Sequence, residues 1–122
     1  MNKRTVIIGA STNPARYSFL AAEMLTDHGH EIIPLGVKKG MVFGQEIVDI
    51  RSRPTVDKVD TITLYIGPAR QPEWYDYIVS LNPKRVIFNP GTENPTFLKL
   101  LNESGCDAVE ACTLVMLRTG QY

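Results

Sequence analysis

Short apolar runs alternate along this chain with longer segments whose apolar residues recur every three or four positions. Thr5–Ile8 reads as a first strand. Phe19–His28 follows as a helix, with Leu20, Met24 and Leu25 spaced to share a face and Gly29 as a C-terminal stop. Glu31–Leu35 is a second strand, ended by Gly36. Residues 36–58, rich in Gly, Lys and Arg, read as a loop with a short irregular or helical piece. Thr61–Ile66 is a third strand, stopped by Gly67-Pro68, and Gln71–Leu81 the next helix. Arg85–Phe88 is a fourth strand, Pro95–Ser104 a helix closed by Gly105, and Ala108–Ala111 a short fifth strand. The apolar tail Leu114–Leu117 reads as strand or packed coil.

Strands this short, joined by helices, require right-handed parallel crossovers, and a parallel sheet needs cover on both faces. The predicted fold is therefore α/β: a Rossmann-like three-layer sandwich around a parallel sheet of about five strands, with residues 1–122 as one domain. That length can bury a real core but cannot hold a nucleotide domain plus a separate catalytic one. With 13 Lys and Arg against 13 Asp and Glu, there is no global field to draw the protein to nucleic acid or an anionic membrane. The basic and apolar N-terminus is too short for a signal peptide, and no run approaches a membrane span. Cys106 and Cys112 make no disulfide framework, which fits a reducing, cytoplasmic setting.

In such sheets ligands bind beyond the carboxyl ends of the strands, where strand order reverses. That rule places Gly9–Ser18, Pro34–Gly40, Ile66–Arg70, Asn89–Asn94 and Cys112 on the ligand edge. It places His28, His30, Asp57, Asp60 and Cys106 on the opposite rim. No Cys/His set has zinc spacing, and no Ser-His-Asp set can form without a histidine at the ligand edge.

The segment Gly9-Ala10-Ser11-Thr12-Asn13-Pro14 between the first strand and helix reads as a phosphate loop. Its small residues admit a phosphate to the backbone, and the following helix N-terminus favours an anion. Ser11 and Thr12 offer hydroxyl donors, Asn13 stabilises the tight turn, Arg16 could neutralise a pyrophosphate, and Ser18 is a plausible helix N-cap. Ser11 and Pro14 stand where the second and third glycines of a dinucleotide fingerprint would be. The second strand ends Pro34-Leu35-Gly36-Val37-Lys38-Lys39, with no acid to hold the ribose of NAD. Two lysines there suit an additional ribose phosphate, which NADP and coenzyme A both carry.

The ordered set V-I-I-G-A-S-T-N-P-A-R-Y-S, H-G-H-E-I-I-P-L-G, D-T-I-T-L-Y-I-G-P, F-N-P-G-T-E-N and E-A-C-T-L-V-M-L resembles the coenzyme A-binding domain family. These are small stand-alone Rossmann-like proteins related to the nucleotide domain of the succinyl-CoA synthetase alpha subunit. The resemblance covers nearly the whole chain. It implies that Gly9, Ala10, Ser11 and Asn13 with Arg16 hold the CoA pyrophosphate. It puts Pro34 and the Leu35–Lys39 turn beside the adenine and ribose, with Lys38 or Lys39 near the 3′-phosphate. The Ile66-Gly67-Pro68 turn would line the adenosine or pantetheine path, and Asn89-Pro90-Gly91 would border the pantetheine arm. The synthetase's second domain and phosphohistidine segment are lacking, so its ligase activity does not transfer. Many members carry Asn-Pro after the second strand, where this chain has Leu35-Gly36.

Two classes of function follow, with coenzyme A or an acyl-CoA as the small-molecule ligand and no protein partner legible. One is a binding or sensing module without turnover. The other is a small enzyme acting on a CoA thioester through Cys112 or Glu110, with an NADP-type reductase as a third reading. The module is favoured because no activated acid, base or nucleophile constellation is legible.

Overall fold

A computed structural model describes residues 2–122. Its main sheet has six parallel strands, in the order β5 (Val48–Asp49), β2 (Ile32–Gly36), β1 (Thr5–Ile8), β6 (Thr61–Leu64), β7 (Arg85–Phe88) and β8 (Asp107–Glu110). The chain runs outward from β1 through β2 to β5, then crosses back to place β6 on the other side of β1. Strand order therefore reverses between β1 and β6, where the chains leaving two neighbouring strands diverge and open a crevice.

The strands alternate sides because successive side chains point to opposite faces. Val6, Ile8, Ile62, Leu64, Val86 and Phe88 pack on one face against α2 (Tyr75–Ser80) and α3 (Pro95–Glu103), through Ile78, Phe97 and Leu101. Ile7 and Ile32 pack on the other with Ala22 and Leu25 of α1 (Tyr17–Asp27) and Leu117 of α4 (Thr113–Arg118). This second face is partly polar: Thr5, Thr61, Thr63 and Asn89 are all buried on it. The ring of Tyr122 covers part of it, its hydroxyl 2.5 Å from Thr5 Oγ1 and the Arg85 guanidinium 4.4 Å from its centroid.

Four departures from the sequence reading have local causes. The stretch 36–58 holds more order than a loop. Its hairpin of β3 (Met41–Val42) and β4 (Gln45–Glu46) turns through Phe43 and Gly44, both at positive φ as a tight two-residue hairpin turn requires. It then adds β5 as a sixth strand beside β2. The predicted helix over 71–81 is α2 alone, preceded by two 3₁₀ turns at Pro68–Arg70 and Pro72–Trp74, because Pro72 supplies no amide to a continuous helix. The third strand ends at Leu64, and Tyr65 and Ile66 already leave the sheet. The tail is neither strand nor coil: Thr113–Arg118 forms α4, which packs beside α1.

Candidate functional site

At the reversal point a groove of about 790 Å³ opens between the loops that follow β1, β2, β6 and β7, a size within the range of about 300–1,000 Å³ usual for small-molecule sites. Its floor and walls include Ile8–Thr12 and Ala15–Ser18, Gly36–Lys38, Ile50 and Arg51, Tyr65–Gly67, Arg70, Trp74, and Pro90–Thr92. The four cations Arg16, Lys38, Arg51 and Arg70 line it against one carboxylate, Glu73, so the groove is electropositive although the chain as a whole is neutral.

The first loop works differently from a bare glycine cradle. The amides of Gly9 and Ala10 both donate to Leu35 O, at 3.0 and 2.9 Å, which ties the loop to the end of β2. Gly9 stands at φ 94°, and a Cβ there would lie 2.9 Å from the Tyr65 carbonyl oxygen. Its lack of a side chain thus serves the crossing of β1 and β6. At Gly36 a Cβ would come within 2.7 Å of Ala10 O, so the β2 exit also presses on this loop.

Ser11 Oγ accepts the Asn13 amide at 3.0 Å, and Asn13 Oδ1 accepts that of Ala15 at 3.0 Å. These two side chains build the turn. The amides of Ser11, Thr12, Tyr17 and Ser18 have no protein acceptor among the described residues, and all four residues line the groove. They are the donors left for an anion, at the end of α1 where the peptide dipoles carry partial positive charge.

Several predicted site residues take a place or a role other than the one expected. Ser18 is not the N-cap: α1 begins at Tyr17, Arg16 occupies the cap position without a side-chain bond, and Ser18 is buried within the first turn. Pro34 sits inside β2 in register with Ile7 and does not reach the groove. Asn13, Lys39 and Pro68 are exposed and outside its lining, whereas Gly67, Pro90 and Gly91 line it. Asn89 is 2 % exposed and committed to the protein. Its Nδ2 donates to Thr63 Oγ1 and Leu64 O, and its Oδ1 accepts the Thr113 amide at 2.9 Å, capping α4.

Other contributors were not legible in the sequence. Arg51 is gripped by Asp49, with Nε and Nη2 each 2.9 Å from a carboxylate oxygen, and this pairing holds the Asp49 carboxyl below its ordinary value. Asp49 lies opposite Gly36, so the one acid at the end of β2 is already taken by a guanidinium. Gln71, wholly buried, donates to Ile66 O and Thr92 O while its Oε1 accepts from Asn94 at 3.0 Å. It fastens two groove loops to each other. Only a buried amide in a segment rich in turn residues could have signalled that role.

A second, smaller cavity of about 270 Å³ adjoins the groove between α1 and α4, lined by Tyr17, Leu20, Tyr65, Asn89, Pro90, Cys112, Leu114 and Arg118. Tyr17, Tyr65 and Pro90 belong to both spaces. The Tyr65 hydroxyl is buried without a hydrogen bond, and burial pushes it up to about 12 despite the nearby Thr63 and Thr113 hydroxyls. Those hydroxyls are bonded to each other at 2.8 Å.

Both histidines stand at the opposite edge of the sheet. His28 caps the end of α1, and His30 precedes β2 with its Nδ1 accepting the Lys3 amide. Burial, with neighbouring positive charge, holds His30 below its ordinary value. Cys106, at the same edge, is pushed up to about 11 by burial. Among the described residues no group of His, Cys, Asp and Glu could hold a metal ion.

The architecture and the cationic switch-point groove agree with one family. A family model described as a CoA binding domain matches residues 3–118. The chain belongs to the CoA-binding domain family. No curated protein matches it. Among solved structures, this CoA-binding domain is similar to an uncharacterized protein at 52 % identity and a TM-score of 0.96, covering 100 % of this chain and 99 % of that one. A hypothetical protein from Pyrococcus horikoshii OT3 shares 24 % identity at a TM-score of 0.83, covering 96 % and 82 % of the two chains. A protein from Thermus thermophilus shares 22 % at 0.85, covering 98 % and 91 %. At these lower identities the likeness is one of fold. No helix among the described residues is long and apolar enough to cross a membrane.

Proposed function

We propose that the groove binds coenzyme A or an acyl-CoA, and that the protein is a binding or sensing module without turnover of its own. The observation that carries this reading is the distribution of charge along the groove of a CoA-binding domain. Arg16 and the unpaired amides of Ser11, Thr12, Tyr17 and Ser18 gather at the end of α1, where a pyrophosphate would sit. Lys38 and Arg51 stand beyond the end of β2, where a ribose 3′-phosphate would lie. Val37 and Ile50 flank that end and offer apolar contact to an adenine. Asp49, bound to Arg51, is not free to hold the ribose hydroxyl that NAD presents.

The module reading rests on where the reactive side chains are. His28 and His30 are on the far edge, and Cys112 lies in the small cavity with no histidine beside it. Nothing there resembles a nucleophile held by a base.

Titration calorimetry with CoA, acetyl-CoA and NAD tests the ligand class. CoA and acetyl-CoA should bind well above NAD, and equal or tighter NAD binding would overturn the reading. Intact-mass measurement after incubation with acetyl-CoA tests the absence of turnover. An acetyl adduct on the wild type that disappears in Cys112→Ser would make the protein an enzyme.

A further inference from the structure

The small cavity between α1 and α4 is not needed to hold a nucleotide, yet it adjoins the nucleotide groove. Tyr17, Tyr65 and Pro90 form the shared wall. The cavity lies on the β7–β8 side of the switch point, and Lys38 with Arg51 lies on the β2–β5 side. A ligand with its nucleoside between those cations and its pyrophosphate at α1 therefore directs its other end toward this cavity.

The walls state what that end should be. Leu20, Leu114 and the ring of Tyr65 present hydrocarbon, and Cys112 adds a small, soft side chain. Asn89 is the one amide in the lining, and both its Nδ2 donors and its Oδ1 are bonded to the protein. The Tyr65 hydroxyl is buried behind the surface. Apart from the exposed side chains of Tyr17 and Arg118, the chamber thus offers apolar contact and almost no hydrogen bonding, which suits a saturated chain and disfavours a polar group.

We propose that this cavity receives the acyl group of a short aliphatic acyl-CoA, so that the protein binds such thioesters in preference to free CoA. The proposal rests on the CoA reading of the groove. It involves no covalent step: Cys112 acts as part of the wall.

The test is a calorimetric series on the purified protein with CoA, acetyl-CoA, propionyl-CoA, butyryl-CoA and hexanoyl-CoA. Affinity should rise by up to about fourfold per added methylene until the cavity is filled, the factor that corresponds to about 0.8 kcal/mol for burying one methylene. Leu20→Trp places an indole in the chamber from α1. It should bind free CoA as the wild type does and lose the rise with chain length, with circular dichroism confirming that it is folded. If the wild type binds CoA but shows no rise, or if folded Leu20→Trp keeps it, the acyl group lies elsewhere and the inference falls while the CoA reading stands. If neither CoA nor any thioester binds, both fall together. Should Leu20→Trp fail to fold, Cys112→Phe fills the same chamber from beyond the end of β8, and a rise with chain length kept by that folded variant overturns the inference in the same way.

Discussion

The cations of the groove are all exposed, and the expected contribution of each follows from what holds it. Arg51 is oriented by two contacts to Asp49, so its guanidinium is presented with little freedom left to lose. Lys38 lines the same end of the groove, and its neighbour Lys39 does not. If Lys38 and Arg51 meet the 3′-phosphate, the wild type should prefer CoA to 3′-dephospho-CoA. Lys38→Ala and Arg51→Ala should each reduce that preference, and Lys39→Ala should leave it intact. Arg16→Ala should weaken both ligands by about 1–3 kcal/mol, the scale of a lost hydrogen bond to a charged group. Competition binding with the two nucleotides checks all four variants. An effect confined to Lys39→Ala would return the 3′-phosphate to the neighbouring position.

At the scale of elements, the groove exists because its loops are tied together, the first to the end of β2 by backbone amides and those after β6 and β7 by buried polar side chains. Gln71 links the loop after β6 to the loop after β7 through Ile66 O and Thr92 O. Asn94 carries the link onward: its Nδ2 donates to Gln71 and to the Tyr75 hydroxyl, and its Oδ1 caps α3 at Phe97. Gln71→Leu keeps the approximate volume but strands two carbonyls and one amide donor in a dry site. It should cost at least about 3 kcal/mol of folding stability, on the basis of about 1–3 kcal/mol for each buried group left unsatisfied. Urea unfolding of the variant measures this directly, and a loss under about 0.5 kcal/mol, the usual range for an uninvolved surface position, would show that water replaces the amide. Gly9 belongs to the same scale. Its amide and its bare Cα hold the first loop against β2 and β6, so its replacement damages the loop crossing before any ligand arrives.

For the whole molecule, several weak acids are buried by the fold, and all shift in the same direction. Burial pushes Cys106 up to about 11 from an ordinary 9.0, and Tyr65 up to about 12 from 10.0. Tyr122 and Tyr77 are also raised, chiefly by burial. Each group is favoured in its protonated form by the native state, so above its unfolded value the native protein holds more protons than the unfolded chain. The stability they contribute is complete below about pH 9 and is lost as pH rises from 9 through 12. Chemical denaturation between pH 8 and about 11.5 should show a progressive fall that Cys106→Ala removes in part, beginning at its lower end. A flat profile across that window would mean that the thiol and phenols ionise equally well in the folded protein.

The alternation of short apolar runs with helical spacings was enough to determine the α/β sandwich, the parallel sheet and the edge that carries the groove. These follow from local periodicity and from the handedness of crossovers, which any chain with this pattern must obey. It also marked Arg16, Lys38 and Gly67 as groove residues, because each lies in a connection leaving the carboxyl end of a strand. What it could not determine depends on contacts between distant segments. The use of the Gly9 and Ala10 amides by Leu35 requires β2 to lie beside β1. Asn89, read as a ligand neighbour from its place after β7, is also the clamp for α4, a role it takes only because β6 and the tail converge on it. The tail itself turned helical because its apolar residues found α1 to pack against. Arg51 and Asp49 joined the site only through a two-residue strand held by pairing with β2, too short for its own sequence to specify.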